Sequence, residues 1–139
     1  MNKSVFFIFI LLFSFSCGKK EEVKFEAFSP EAFAYDIGEA WEVNATVNVR
    51  GFEKIKKDDE TFVSLSYNVD LINSDGDSTK NIFSDLKEVS NREINDIQLE
   101  AQFELDDTQT RGTYKIVFNI KDNNSSKTVS AQVEFELED

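Results

Sequence analysis

The stretch from Trp41 to Arg50 reads WEVNATVNVR, and apolar and polar side chains alternate along it. Successive side chains of a β-strand point to opposite faces, so a period of two predicts a strand with one buried and one solvated face. The stretch from Val63 to Leu71, VSLSYNVDL, repeats the pattern, and residues 73–77 (NSDGD) then supply a turn. Both stretches are therefore predicted to be strands.

Three further alternating runs follow toward the C-terminus, at residues 97–105, 114–120 and 129–137. The last two are separated by residues 121–126 (KDNNSS), a turn-rich segment that predicts a C-terminal hairpin. Strands at regular spacing, joined by polar turns and without long helical patterns, indicate an all-β antiparallel sandwich. Two sheets then bury their apolar faces against each other.

Two stretches have a less defined pattern. Val23 to Ala27 is compatible with a leading edge strand that ends near Pro30. Residues 81–90 fit a short helical turn about as well as a crossing strand, because their apolar residues do not follow one period.

The segment before the fourth run carries a family resemblance. Asp107, Gly112 and Tyr114 resemble the beginning of strand F in immunoglobulin-like domains, where a tyrosine hydroxyl bonds back to the main chain. The resemblance covers about residues 40–139 and implies an immunoglobulin-like β-sandwich, with Trp41 as a candidate core aromatic on the second strand. No disulfide is expected, because the chain has a single cysteine. A fold of this class does not define a function.

The first residues have the pattern of an export signal. Lys3 gives a positive start, Val5 to Phe13 is an unbroken apolar run, and residues 14–16 (SFS) lead into Cys17. The run is about half of the roughly 20 residues that a membrane-spanning helix needs. A buried helix and an ordinary cleaved signal are the alternatives. The extreme N-terminal position disfavours the first, and the lone cysteine, a liability in a secreted chain, disfavours the second.

Ser16 and Cys17 resemble the lipobox of bacterial lipoproteins, which places a small residue before the modified cysteine. Ser14 stands where leucine is usual, so the match is to the looser lipoboxes found outside the enteric bacteria. The resemblance implies cleavage before Cys17, a diacylglycerol on its thiol and acylation of the new amine. Two or three chains anchor stably, whereas one chain binds only marginally. The membrane is therefore the first expected partner.

The residues directly after Cys17 are charged. Lys19, Lys20, Glu21 and Glu22 resemble the lysine-then-acidic export signal of Bacteroidota lipoproteins, which implies display on the cell exterior. A solvated tether is the simpler interpretation of the same residues. We expect an outer-membrane location, facing either the cell surface or the periplasm.

Length and these segments define the expected organisation. A chain of 139 residues is long enough for one hydrophobic core but not for two. We expect a signal peptide over residues 1–16, the lipidated cysteine and a charged tether over 17–30, and the β-sandwich domain over 31–139.

Composition and charge exclude several functions. The chain has 15 Lys and Arg against 27 Asp and Glu, and such a surface repels nucleic acid and anionic headgroups. It has no histidine, which excludes Ser/His/Asp and Cys/His catalysis and histidine-ligated zinc. A glycosidase pair of carboxylates remains formally open, but solvated acidic surface explains these residues better. With 5 glycines there is little material for a phosphate-binding loop. We expect no enzyme activity and no cofactor.

Asn73, Asp75 and Asp77 fall at alternate positions, a spacing that allows several oxygens to face one calcium ion. The EF-hand pattern then fails, because Ser78 stands where glycine is required and Ser84 where a bidentate glutamate belongs. A turn rich in Asp, Asn and Gly explains the same residues without an ion, and no metal site is predicted.

Two hypotheses of function follow. The first is a membrane-anchored, non-catalytic interaction module with a protein partner, as an accessory subunit of an envelope complex or a surface-displayed binding domain. The alternative is a carrier of a small hydrophobic ligand between the sheets, for which the 14 phenylalanines would supply the lining. An exposed aromatic patch favours the first, whereas an open internal cavity favours the second.

Overall fold

The computed structural model describes residues 23–139 of the chain. The predicted signal peptide at residues 1–16, the predicted lipidation site Cys17 and the predicted export signal at residues 19–22 lie outside the described residues. The described part holds no helix that is long and apolar enough to cross a bilayer.

The described chain is built of β-strands. In chain order they are β1 (Glu26–Asp36), β2 (Ala40–Arg50), β3 (Ile55–Lys57), β4 (Glu60–Ile72), β5 (Ser78–Asn91), β6 (Asp96–Asp106), β7 (Gly112–Asp122) and β8 (Thr128–Leu137). The five alternating runs predicted from the sequence correspond to β2, β4, β6, β7 and β8. Their period of two is therefore the period of real strands.

The strands form two antiparallel sheets that pack against each other, which confirms the predicted all-β sandwich. The three-stranded sheet has the order β1-β2-β6, and the five-stranded sheet has the order β3-β4-β7-β8 with β5 paired to β4. The sheet of β1, β2 and β6 thus packs against the sheet that contains β4, β5, β7 and β8. Immunoglobulin-like domains divide their strands in the same way, with A, B and E in one sheet and C, C′, F and G in the other. The predicted C-terminal hairpin is β7–β8.

The core lies between the sheets and contains the inward-facing residues of the alternating strands. Leu65, Leu99, Tyr114 and Phe118 are among its largest fully buried side chains. Burying such a side chain stabilises a fold by about 1.5–3 kcal/mol relative to leaving it exposed. This packing holds the two outer faces of the sandwich in fixed positions.

The tyrosine corner implied by the family resemblance is present. The Tyr114 hydroxyl donates to the main-chain oxygen of Thr110 at 2.6 Å, and the Tyr114 ring stacks on Phe135 with ring centres 5.6 Å apart. Trp41 is buried at the start of β2, as expected for a core aromatic.

β1 differs from the expected leading strand. It continues through Pro30 to Asp36, with a bulge between Phe28 and Glu31 where the pairing to β2 shifts. β1 is an edge strand, and edges and bulges are where a sheet tolerates proline. The first strand thus begins inside the range expected to be tether, and the boundary expected at residue 31 falls within it.

The backbone before β1 already packs on the domain. Gly51 follows β2 with φ +76°, and a Cβ on it would lie 2.1 Å from the carbonyl oxygen of Lys24. Only glycine allows so close an approach of two backbones. The structured domain therefore includes Lys24.

Residues 81–90, for which helix and strand were both open, are strand. They belong to β5, which pairs with β4 along an edge and has a register shift opposite Val69 and Leu71. Asn81 has φ 56° at this shift. Ile82 and Phe83 are consecutive and both half-buried, because the irregular backbone interrupts the alternation.

Candidate functional site

Two buried carboxylates are structural parts of the fold. Asp122 lies at the end where the chain enters the domain, and it connects two loops there. It accepts hydrogen bonds from the backbone N–H of Glu53 at 2.7 Å and of Asn124 at 3.0 Å. It also accepts from the Ser125 hydroxyl at 2.8 Å. With its oxygens satisfied internally, Asp122 is not a candidate catalytic group.

Asp70 is the second buried carboxylate, and it lies on the outer face of the five-stranded sheet. It accepts from the backbone N–H of Asn81 at 2.8 Å and from the Asn119 amide at 2.9 Å, and it lies 3.5 Å from the Lys80 ammonium. Burial acts to raise the pKa of Asp70, but these hydrogen bonds and the lysine outweigh it and lower the pKa below the ordinary value. The charged form of Asp70 thus stabilises the β4–β5 bulge.

The three residues considered for calcium form the β4–β5 turn. The side-chain oxygen of Asn73 accepts from the backbone N–H of Asp75 at 3.1 Å and of Asp77 at 2.9 Å. The Asn73 side chain is therefore engaged in the turn itself. No group of three or more Cys, Asp or Glu side chains within residues 23–139 is arranged to hold a metal ion.

An apolar stripe on β1 is the strongest surface feature of the domain. In most strands here the large apolar residues face inward, but in β1 the small Ala32 faces the core while Phe33 and Tyr35 face outward. Phe33 is 55% exposed, Tyr35 is 56% exposed, and Ile37, in the turn that follows, is 51% exposed. We call Phe33, Tyr35 and Ile37 the β1 stripe. Core packing does not account for them, and contiguous exposed apolar residues mark interaction sites.

The β1 stripe borders on acidic and amide side chains. Strand register places Phe33 in one row with Asn44 and Gln102, and Tyr35 in the next row with Glu42 and Glu104. Paired residues share a face of the sheet, and neighbouring strands are about 4.8 Å apart. The acids around the stripe, which we call the acidic rim, are Glu31, Glu39, Glu42 and Glu104.

Basic side chains are scarce on the same face. The row with Glu31 continues with Thr46 and Glu100, so none of the three rows around the β1 stripe contains lysine or arginine. The one basic residue that strand register places on this face is Arg50, at its other end. The face is thus acidic and aromatic where the stripe lies.

The two arginines nearest to aromatic rings show how the domain itself holds a guanidinium. Arg50 lies over the Phe28 ring, 4.4 Å from its centre, and its Nε donates to Glu26 at 2.5 Å. Arg111 lies over the Trp41 ring at 4.9 Å, and its Nε donates to Asp139 at 2.8 Å. Each arginine combines cation–π attraction to one aromatic ring with ionic attraction to one carboxylate, and Arg111 also donates to the main-chain oxygens of Asp107 and Gln109.

The two ends of the sandwich differ in charge. The chain enters at the end that holds Lys24, and the loops at this end balance the basic Lys54, Arg92 and Lys127 against the acidic Glu53, Asp58, Asp59 and Glu93. At the opposite end, which we call the far end, the loops and the last residues carry Asp36, Glu39, Asp75, Asp77, Asp107, Glu138 and Asp139. Arg111 is the one basic residue among the described loops of the far end. The β1 stripe runs toward this acidic end.

The outer face of the five-stranded sheet has a different character. Its rows are mostly Ser, Asn, Thr and Lys, and a shallow depression of about 570 Å³ lies among Ser66, Asn119, Lys121 and Ser130. Leu86 is 50% exposed there, but its row partners on β4 and β7 are the polar Ser66 and Lys121. An isolated exposed leucine is ordinary and needs no explanation.

Some of the phenylalanines that raised the carrier hypothesis are part of the core. Phe103, Phe118 and Phe135 are all buried between the sheets. A groove of about 280 Å³ lies at the junction of β1 and β8, lined by Phe33, Tyr35, Trp41, Phe135, Glu136 and Glu138, among others. This groove opens beside the β1 stripe and extends it.

Sequence reasoning did not single out the β1 stripe. The signal that would have found it is the inverted pattern of residues 32–35 (AFAY), in which small residues alternate with aromatic ones. The predicted site residues Cys17, Lys19, Lys20, Glu21 and Glu22 lie outside the described residues, so the structure neither joins them to the stripe nor separates them from it.

Comparison with known proteins does not supply a family for the chain. No protein-family model matches it, and no curated protein is significantly similar to it. The surface described above is accordingly the basis for inferring what the domain does.

Proposed function

We propose that this protein is a lipid-anchored outer-membrane protein whose β-sandwich is a non-catalytic interaction module. It binds a protein partner as an accessory subunit of an envelope complex or as a surface-displayed domain. The observation that carries the proposal is the β1 stripe, whose three large apolar side chains are each more than half exposed along one strand and the turn that follows it. The largest exposed apolar patch of a soluble domain is often a binding site.

The position of the stripe supports this function. The proposed anchor Cys17 precedes the domain, and the chain enters at the end where Lys24 packs against Gly51. Strands rise about 3.3 Å per residue, so Tyr35 lies roughly 30 Å beyond the start of β1. An anchored domain that stands on its entry end would present the stripe away from the bilayer.

The distribution of charge supports the same orientation. Anionic headgroups repel acidic surfaces and attract basic ones. Together with Lys24, the loops of the entry end carry equal numbers of basic and acidic residues, whereas the far end is strongly acidic. The domain would therefore face a membrane with its entry end and leave the β1 stripe accessible.

The anchor is tested by Cys17→Ala in the full-length chain, followed by fractionation of membranes and soluble proteins. We expect the wild-type protein in the outer membrane and the variant in the soluble fraction. Membrane retention of Cys17→Ala equal to wild type would contradict lipid anchoring. Protease added outside intact cells then distinguishes the two forms of the proposal, because only a surface-displayed domain is digested.

The interaction is tested by purifying the full-length protein from cells after chemical crosslinking. A partner that is recovered with wild type and with Leu86→Ser, but lost with Tyr35→Ser, would support binding through the β1 stripe. Leu86 is the matched control, because it is also a large apolar residue that is about half exposed, but it lies on the opposite sheet. Equal recovery with all three proteins would contradict the proposal.

A further inference from the structure

We propose that the β1 stripe binds a cationic polypeptide segment of its partner, with arginine or lysine side chains over the Phe33 and Tyr35 rings and paired with the acidic rim. The inference rests on the proposed function and specifies the chemistry of the partner. It combines an exposed apolar surface, which a partner must cover, with a charge that only a basic partner complements.

The composition of the stripe fits such a segment. Phe33 and Tyr35 are two residues apart on one face of β1, so their rings are separated by about 7 Å along the strand. Alternate side chains of an extended peptide have the same separation. A guanidinium or ammonium over each ring gains cation–π attraction, and the aliphatic part of the same side chain covers apolar surface.

The acidic rim supplies the second half of the recognition. Glu42 shares a row with Tyr35, and Glu31 lies beside Phe33 on the outer face of β1. Ionised carboxylates and arginine form charge-assisted hydrogen bonds that are roughly twice as strong as neutral ones. A neutral or acidic partner would leave these carboxylates desolvated without compensation.

The domain already holds its own arginines in this way. Arg50 is held by the Phe28 ring and Glu26, and Arg111 by the Trp41 ring and Asp139. Phe28 is on the same strand and the same outer face as the β1 stripe. The stripe repeats this pairing of aromatic ring and carboxylate, but the rows around it contain no basic residue of the described chain.

The charge of the chain disfavours a second copy as the occupant. The net charge is -12, and two copies joined at this face would bring their acidic rims together. Like charges placed opposite each other at an interface repel and weaken binding. The same charge attracts a cationic partner at long range and accelerates its association.

Binding of labelled peptides to the full-length lipoprotein in detergent micelles tests the inference. The probe is a twelve-residue peptide of alternating arginine and leucine, and its matched control has citrulline, a neutral analogue of similar shape, at every arginine position. Fluorescence anisotropy gives both dissociation constants. We expect the arginine peptide to bind at least about tenfold more tightly than the citrulline peptide.

Variants locate the binding. The double variant Phe33→Ser/Tyr35→Ser should weaken arginine-peptide binding about tenfold or more, whereas Leu86→Ser should change it less than about twofold. Glu42→Gln/Glu104→Gln should weaken the arginine peptide severalfold and leave the citrulline peptide unchanged. Glu88→Gln, on the opposite sheet, is the matched charge control and should have no effect beyond twofold.

The outcomes separate this inference from the proposed function. Equal affinity for the arginine and citrulline peptides would overturn the cationic partner, and so would arginine-peptide binding that the Phe33→Ser/Tyr35→Ser variant leaves unchanged. A partner that is crosslinked at the β1 stripe in cells but has a neutral or acidic contact surface would overturn this inference and leave the proposed function standing. Loss of that crosslinked partner in the Glu42→Gln/Glu104→Gln variant would support both.

Discussion

The two outer faces of the sandwich are built by the same alternation of strands, yet they use their polar and aromatic residues differently. On the five-stranded sheet, the carboxylate of Asp70 is bound by Asn81, Asn119 and Lys80 of the same domain. On the three-stranded sheet, the acidic rim and the β1 stripe have few such partners. Asn44 donates to Glu42 at 2.9 Å, but the Phe33 and Tyr35 rings remain exposed.

The difference teaches that folding accounts for the buried carboxylate on the five-stranded sheet but not for the exposed rings of the β1 stripe. A buried carboxylate is kept when its hydrogen bonds stabilise the fold, and Asp70 meets that condition. Exposed aromatic rings contribute little to the fold, and a contiguous exposed set of apolar residues marks a candidate contact surface. Substitution of Asp70 on the five-stranded face should therefore reduce stability, whereas substitutions at the β1 stripe should reduce binding.

The largest effect is expected where the three-stranded sheet meets the entering chain. Gly51→Ala should lower the free energy of unfolding by about 3 kcal/mol, because a Cβ would collide with the backbone of Lys24 at a positive φ. Gly76→Ala is the matched control, since Gly76 also has positive φ but has open space around its Cβ position. Urea denaturation measures both, and equal losses would contradict the close approach at Gly51.

The next effect sharpens the contrast between carboxylates. Asp70→Ala should cost about 2 kcal/mol, because it leaves the Asn81 N–H and the Asn119 amide without their acceptor. Glu104→Ala on the opposite face should stay within about 0.5 kcal/mol. Denaturation curves of the two variants would contradict the comparison if their midpoints were equally lowered.

A smaller effect concerns the contact between the sheets. The Tyr67 hydroxyl donates to the main-chain oxygen of Glu100 on β6 at 2.6 Å, so Tyr67→Phe should cost about 1 kcal/mol. Burial and the negative charge of Asp85 raise the pKa of Tyr67, which keeps the hydroxyl protonated as a donor. Tyr35→Phe removes an exposed hydroxyl and should be neutral in the same urea denaturation assay. A loss as large as that of Tyr67→Phe would contradict the assignment of Tyr35 to an exposed surface.

The pH dependence of stability should reveal Asp70. Its pKa is lower in the folded protein than the ordinary value of 3.8, so its stabilising contribution is present above that value and is lost as the pH falls through the folded pKa. Asp70→Asn should therefore flatten the acid limb of a plot of melting temperature against pH. If the acid limb of Asp70→Asn keeps the wild-type slope, other carboxylates are responsible for the loss of stability at low pH.

The smallest effect on stability is expected at the β1 stripe. Phe33→Ser/Tyr35→Ser should change the free energy of unfolding by no more than about 0.5 kcal/mol, because both side chains are more than half exposed. The same variant should lose the partner. Destabilisation comparable to Asp70→Ala would show that the stripe serves the fold and would break the contrast between the two faces.

The fold could be predicted from the sequence wherever apolar and polar residues alternate in step with the buried and exposed faces of a strand. β2, β4, β6, β7 and β8 each bury one face evenly, so their period of two was visible, and Tyr114 marked the corner before β7. The extent of β1 and the identity of β5 could not be predicted in the same way. Both are edge strands interrupted by a bulge, and a bulge shifts the inward set of residues to the other face.

The site was harder to predict because its signal depends on tertiary packing. In the sequence, Asp70 and Glu42 are both acids at polar positions of alternating runs. Only the fold brings Asn81, Asn119 and Lys80 to Asp70 and leaves Glu42 beside the Tyr35 ring. The exposure of Phe33 and Tyr35 became evident once the register of β1 placed Ala32 inward.

Site-specific photo-crosslinking in intact cells tests the central claim most directly. Full-length protein carries benzoylphenylalanine in place of Tyr35 or, in a parallel strain, in place of Leu86, two positions exposed to similar degrees on opposite sheets. We predict one discrete adduct from position 35, none from position 86, and loss of the adduct when Phe33→Ser is added. Matching adducts from both positions, or none from position 35, would contradict a partner at the β1 stripe.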